Sequence, residues 1–139
     1  MRPFLLITLS LLATAGPLRA AEVPVAVGSN FYNPTPITIL AGDSVRFTNQ
    51  GGLHNAQADD LSWRCAQGCS DTGGNGDASS SAWSFARFFN EPGTFRYHCD
   101  VHGGLGGIGM SGMVIVLPVT IFADDFETGD TGLWDVTLP

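Results

Sequence analysis

The sequence predicts an all-β domain, folded as an antiparallel sandwich or barrel. Short stretches rich in valine, isoleucine, threonine and aromatic residues alternate with glycine, proline, asparagine and aspartate, a pattern typical of strands separated by turns. No stretch keeps apolar residues at helical spacing over ten or more positions, so no helix is expected. Several short strands within roughly 95 residues favour two packed sheets.

The strands are expected where the apolar runs fall, and turns where glycine and proline interrupt them. The predicted strands are 23–27, 37–40, 44–48, 53–57, 83–88, 93–99 and 112–117. Turns are predicted at 41–43 and 91–93, because Gly42 and Gly93 tolerate positive φ and Pro92 presets its own φ. The strands and turns together define one domain, residues 21–118.

Residues 1–20 have the layout of a secretory signal peptide. Arg2 precedes an apolar run, and small residues lead to a cleavage site after Ala20. An uncleaved membrane anchor is the alternative, but the apolar run is shorter than the roughly 20 residues that a spanning helix needs. We therefore expect an exported chain, periplasmic or secreted, whose mature form is not inserted in the membrane.

The charge of the mature chain restricts its partners. Without Arg2 and Arg19, four basic residues face thirteen acidic ones, a net charge of about −9, and lysine is absent from the sequence. Nucleic acid and anionic membrane carry the same sign and are not expected to bind. A basic protein partner is compatible with this charge.

Residues 119–139 form a predicted acidic C-terminal tail. It contains five acids, with Phe126 and Trp134 among them. The simplest interpretation is a solvated tail. Its composition also resembles a recurring C-terminal segment of exported bacterial proteins, for which weak Ca²⁺ binding and recognition by export machinery are both open roles.

The odd number of cysteines leaves one thiol to explain. Cys65 and Cys69 lie four residues apart within the long connection 58–82, and in an oxidising compartment we expect them to form a local disulfide. A metal-binding pair is the alternative. The third cysteine, Cys99, is then unpaired.

Strand alternation places the unpaired cysteine towards the interior. In the strand 93–99, Phe95, Tyr97 and Cys99 share one face, whereas Arg96 and His98 share the other. The aromatic face is expected to be buried, so Cys99 points inward. His98 is expected at the surface and not among the metal ligands.

Cys99 has the partners of a copper ligand. His102 follows it after a short interval, His54 comes from a distant strand end, and a thioether follows at Met110 or Met113. One thiolate, two imidazoles and a weak thioether form the donor set of blue-copper electron-transfer sites. Each residue alone has an ordinary structural interpretation, as core or surface residue. The combination and its order favour a copper site.

These motifs resemble the plastocyanin/azurin (cupredoxin) family over residues 23–117. The matching segments are 41–49, His54-Asn55, 92–102 and 109–116. The resemblance implies a Greek-key cupredoxin fold with one type 1 copper ion. It assigns His54, Cys99 and His102 as equatorial ligands and Met110 as the axial ligand, and it places Met113 in the core of the closing strand.

The resemblance also suggests supporting roles. Asn55 matches an asparagine whose hydrogen bonds stiffen the ligand loops without touching the metal. Leu105 lies where the family exposes an edge of the second ligand histidine, and it is a candidate docking contact. The interval of eight residues from His102 to Met110 is longer than in plant plastocyanins. The connection 58–82 is closer to bacterial members.

The function implied is one-electron transfer by an exported carrier that is not an enzyme. Copper oxidases and nitrite reductases need additional histidines, and this chain has three. A copper-handling module without a redox role would use the same ligands and stays open, as does a metal-free sandwich in which the ligands do not converge. We expect a monomer that meets an unidentified redox partner protein.

Overall fold

The computed structural model describes residues 19–69 and 76–119, all of them in strands, turns and irregular segments. Nearly all of the predicted signal peptide and the tail from residue 120 lie outside these ranges. The strands are β1 (Glu22–Gly28), β2 (Phe31–Asn33), β3 (Ile37–Leu40), β4 (Ser44–Asn49), β5 (Ala56–Ala58), β6 (Arg64–Cys65), β7 (Ser84–Phe88), β8 (Gly93–Gly104) and β9 (Ile108–Leu117). Within the same ranges, no helix has the length and apolar character needed to cross a bilayer.

The strands form two sheets, as expected for a sandwich. One sheet has the order β2-β1-β4-β7 and the other β3-β9-β8-β5-β6. The predicted β-sandwich is confirmed, although its pairing is not entirely antiparallel: β1 lies parallel to β4 and β3 lies parallel to β9. The chain crosses to the second sheet between β2 and β3 and returns before β4, so strands far apart in sequence become neighbours with the same direction.

The core lies between the sheets and follows the alternation of each strand. Val25 and Val27 of β1, Val45 and Phe47 of β4, and Val114 of β9 are almost fully buried. An aromatic cluster fills the centre, comprising Tyr32, Phe47, Trp63, Phe85 and Tyr97. Burying one such ring stabilises the fold by about 1.5–3 kcal/mol, so this cluster contributes strongly to the stability of the sandwich.

Several strand boundaries differ from the predicted ones. The predicted strand 53–57 is displaced to Ala56–Ala58, because His54 instead forms an isolated bridge with Ser79. The short strands β2 and β6 were not predicted. β8 and β9 extend beyond the predicted ends, because the glycine-rich segment folds into a hairpin instead of an open loop.

A disulfide and a strand pairing fix the described part of the long connection 58–82. Cys65 and Cys69 form a disulfide with a Cα–Cα distance of 5.5 Å, which confirms the predicted pairing. Cys65 also pairs with Ala56 in β5. The disulfide-closed turn is therefore attached to the strand that begins two residues after His54.

Candidate metal centre

An irregularity in the β8–β9 ladder brings two of the predicted ligands to one place. His98 pairs with Ser111, and the next regular pair joins Gly103 to Gly109. Four residues of β8, from Cys99 to His102, therefore lie opposite a single residue of β9, Met110. Such a bulge bends a strand and redirects its side chains. Cys99 and His102 can thus face the same point, with Met110 across from them.

Backbone hydrogen bonds to the long connection 58–82 fix the position of His54, the third candidate ligand. The amide of His54 donates to the carbonyl of Ser79 at 3.3 Å, and the amide of Ser79 donates back at 3.0 Å. The side-chain amide of Asn49 donates to the Ser79 carbonyl at 3.3 Å and to the Gly52 carbonyl at 3.2 Å. These bonds hold His54 against the interior, where it is 2% exposed.

The three donors converge at distances that suit a single metal ion. Cys99 Sγ lies 3.9 Å from Nδ1 of His54 and 3.7 Å from Nδ1 of His102, and all three donor atoms lie within 4.8 Å of one another. Bonds of about 2.1 Å to nitrogen and 2.3 Å to sulfur, meeting at a trigonal angle, separate the donor atoms by about 3.8 Å. The residues therefore fit a metal ion placed among them.

Burial prepares the site for a metal. Cys99 is fully buried and Met110 is 2% exposed, whereas His102 is half-buried. Burial lowers the pKa of His54, and the neighbouring charge of His102 lowers it further. A lowered pKa keeps the imidazole neutral, which is the form that binds a metal.

Asn55 joins the two ligand segments through hydrogen bonds. Its Oδ1 accepts from the amide of Asp100 at 2.9 Å, and its Nδ2 donates to the Asp100 carboxylate at 2.7 Å and to the Gly76 carbonyl at 2.8 Å. Asn55 follows His54 and Asp100 follows Cys99, so these bonds link the backbones of two ligands. This arrangement is the one that the predicted stiffening role requires.

The predicted docking residue lies on the turn beyond His102. Leu105 is 58% exposed, and its neighbours Val101 and Ile108 are also exposed. An open pocket of about 430 Å³ adjoins the half-buried ring of His102 and is lined by His54, Leu53 and Phe31 among others. The lining of this pocket is mixed, because Ser29, Asn30 and Gln50 lie beside the apolar Phe31 and Leu53.

Two expectations about neighbouring residues are wrong. His98 was expected at the surface but is 5% exposed, because Asp59, which follows β5, covers the outer face of β8 and accepts from His98 Nδ1 at 2.7 Å. It lies outside the ligand cluster, as expected. Met113 was expected in the core but is half-buried on the outer face of β9, since Val114 and Val116 occupy the inner face.

Sequence reasoning missed the polar residues that support the ligands. Asp100 accepts from Asn55 and lies 3.6 Å from the guanidinium of Arg64, and Asp59 accepts from the amide of Gly106 at 2.8 Å. The position of Asp100 directly after Cys99 was a usable signal. No sequence signal marked Arg64 or Asp59, because their contacts depend on the pairing of β5 with β6 and β8.

Taken together, the two-sheet sandwich and the cluster of two histidines and one cysteine define a small metal-binding β-protein. Residues 20–117 match the family of copper binding proteins described as plastocyanin/azurin. The chain belongs to this family, and its cofactor is copper.

Individual relatives agree with this assignment. Plastocyanin of Prochlorothrix hollandica is 33% identical over 106 residues, which cover 72% of this chain and 79% of that protein. Plastocyanin of Ulva prolifera is 30% identical over 80 residues, covering 57% and 82%. A solved structure of a reduced amicyanin variant is similar with a TM-score of 0.50 at 22% identity, covering 69% and 82%. At that identity the likeness concerns the fold alone.

Proposed function

We propose that this protein is a blue-copper one-electron carrier, in which His54, Cys99, His102 and Met110 bind one type 1 copper ion. The observation that carries the proposal is the convergence of the three donor atoms within 4.8 Å. Met110 lies opposite the bulge that holds two of them. When bound, copper would supply a reversible one-electron change between Cu(II) and Cu(I).

The donor set suits both oxidation states. Imidazole binds either state, whereas the thiolate of Cys99 and the thioether of Met110 favour Cu(I). Cys99 is fully buried, so water is excluded from its sulfur, and this protects the thiolate from oxidation.

The scaffold favours transfer with little rearrangement. Asn55 ties the His54 and Cys99 segments together through Asp100, and Asn49 holds the segment before His54. Because these hydrogen bonds do not involve the metal, the donors are already arranged before it binds.

The half-buried edge of His102 is the point where an electron would enter or leave. Leu105 and Ile108 are exposed apolar residues on the segment that follows His102, and they are candidate contacts for a redox partner protein. We infer that the protein acts as an exported monomer and not as an enzyme, and its membership of the plastocyanin/azurin family supports the role of a carrier.

The test is an absorption titration with Cu²⁺, carried out on the protein without residues 1–20 and on its Cys99→Ser variant. We expect an intense visible band that saturates at one copper per chain and disappears in the variant, because the band requires the copper–thiolate bond. A Met113→Leu variant is the matched control and should keep the band. A colourless protein would contradict the proposal.

A second measurement separates a carrier from a copper-handling module. Both would bind copper, but only a carrier needs fast electron exchange between its Cu(II) and Cu(I) forms. We expect reversible voltammetry and rapid self-exchange. Slow exchange with tight copper binding would instead favour copper handling.

A further inference from the structure

The β8–β9 turn that separates His102 from Met110 has little conformational preference of its own. It contains Gly106 and Gly107, with φ of +77° and +93°, and glycine restricts the backbone less than any other residue. Its residues are exposed. A turn of this kind needs an anchor if it is to hold the two ligands that flank it in a fixed relation.

Asp59 makes a contact that can serve as this anchor. Its Oδ2 accepts from the amide of Gly106 at 2.8 Å, while its Oδ1 accepts from Nδ1 of His98 at 2.7 Å. The backbone of Asp59 is itself held, since its amide donates to the Arg96 carbonyl at 2.9 Å. One carboxylate therefore joins the tip of the turn to the body of the second sheet.

His98 completes the connection to the other side of the site. Its side chain is 6% exposed and that of Asp59 is 18% exposed, so both are shielded from bulk water. Nε2 of His98 lies 3.7 Å from the carboxylate of Asp100, which Asn55 binds directly. The residues on either side of Cys99 are thus both engaged in polar contacts that reach the turn or the His54 segment.

We propose that Asp59 and His98 are positioning residues of the copper site: they anchor the turn 105–107 and thereby hold His102 and Met110 in register. The inference rests on the proposed function, because it concerns the ligands of that site. The turn is joined to both ligand segments through the backbone pairs Gly104–Ile108 and Gly103–Gly109. The backbone of Gly103 also packs so closely against the carbonyl oxygen of Met110 that a Cβ there would clash with it.

The test compares Asp59→Ala with Asp59→Asn. Both variants remove the charge, but asparagine keeps an oxygen that can accept from Gly106. Asp60→Ala is the matched control, because the side chain of Asp60 is exposed and bonds locally to Ser62. His98→Phe keeps a ring of similar size and removes the partner of Asp59.

Two readouts are needed, one without metal and one with it. In the metal-free protein we expect the Gly106 amide to exchange its hydrogen at least about tenfold faster in Asp59→Ala, less so in Asp59→Asn and His98→Phe, and unchanged in Asp60→Ala. In the copper-loaded protein we expect the charge-transfer spectrum and the reduction potential of Asp59→Ala to differ from those of Asp59→Asn.

The outcomes separate this inference from the proposed function. Unchanged exchange at Gly106 in Asp59→Ala would overturn the anchor. Faster exchange with identical spectra and potentials in the Ala and Asn variants would show an anchor without influence on the metal, and would also overturn the inference. Absence of the copper–thiolate band in the unmodified protein would contradict the proposed function, and with it any role in positioning copper.

Discussion

Replacing Asn55 with alanine should destabilise the protein even when no metal is bound. The side chain is fully buried and takes part in three hydrogen bonds, two with Asp100 and one with Gly76, at 2.7–2.9 Å. A hydrogen bond contributes about 1 kcal/mol net, and one to a charged group contributes more. The free energy of unfolding should therefore fall by about 3 kcal/mol.

The measurement is urea unfolding of the metal-free protein, followed by tryptophan fluorescence. Asn90→Ala is the matched control, because Asn90 is exposed and its replacement should change stability by no more than about 0.5 kcal/mol. Copper affinity should also fall in Asn55→Ala, since the Cys99 and His54 segments lose their direct link.

A loss of less than about 1 kcal/mol in Asn55→Ala would refute this reasoning. It would mean that water or relaxed side chains replace all three hydrogen bonds, so that Asn55 does not join the two ligand segments.

Three further changes test other parts of the fold. Gly103→Ala should disrupt the site and lower both stability and copper affinity, because its Cβ would clash with the backbone carbonyl of Met110 in β9. Gly104→Ala should be mild, because nothing lies closer than 4.0 Å to a Cβ at that position. Equal effects in the two variants would contradict this packing. Replacing Cys65 and Cys69 together with serine should lower the unfolding free energy by about 2 kcal/mol, which is the chain-entropy estimate for so short a loop. The copper spectrum should stay unchanged. Loss of the spectrum would show that the disulfide shapes the site. In the metal-free protein, NMR should give a pKa for His54 below the ordinary 6.5, because burial and the nearby His102 disfavour its charged form. Since the unfolded chain then binds the proton more readily, unfolding free energy should fall as the pH drops below about 6.5, and a His54→Gln variant with the same pH slope would argue against this.

The candidate ligand set could be proposed from the sequence because its chemistry is specific and most of its residues lie in one segment. Cys99 and His102 lie within one short segment, Met110 follows a few residues later, and an unpaired cysteine in a predicted exported chain needs an explanation. The strand alternation that placed Cys99 inward is also a local property. The all-β class followed similarly from short apolar runs between turn residues.

Strand direction and the supporting contacts depend on tertiary structure. The parallel pairing of β1 with β4 and of β3 with β9 arises from crossings between sheets, and hydrophobic periodicity contains no information about which distant strand becomes a neighbour. The same limit explains the error at His98. Strand alternation correctly predicted that its side chain points away from the core. It could not predict that Asp59, which follows β5, covers that side chain.

The sequence by itself therefore determined the residue types that can bind copper and the periodicity that makes strands. Only the tertiary structure decided that His54, distant from Cys99 in sequence, places its Nδ1 3.9 Å from the Cys99 sulfur. The physical reason is that this distance results from packing two sheets on an aromatic core and from a bulge in one ladder. Both are cooperative properties of the whole chain, which no short segment contains.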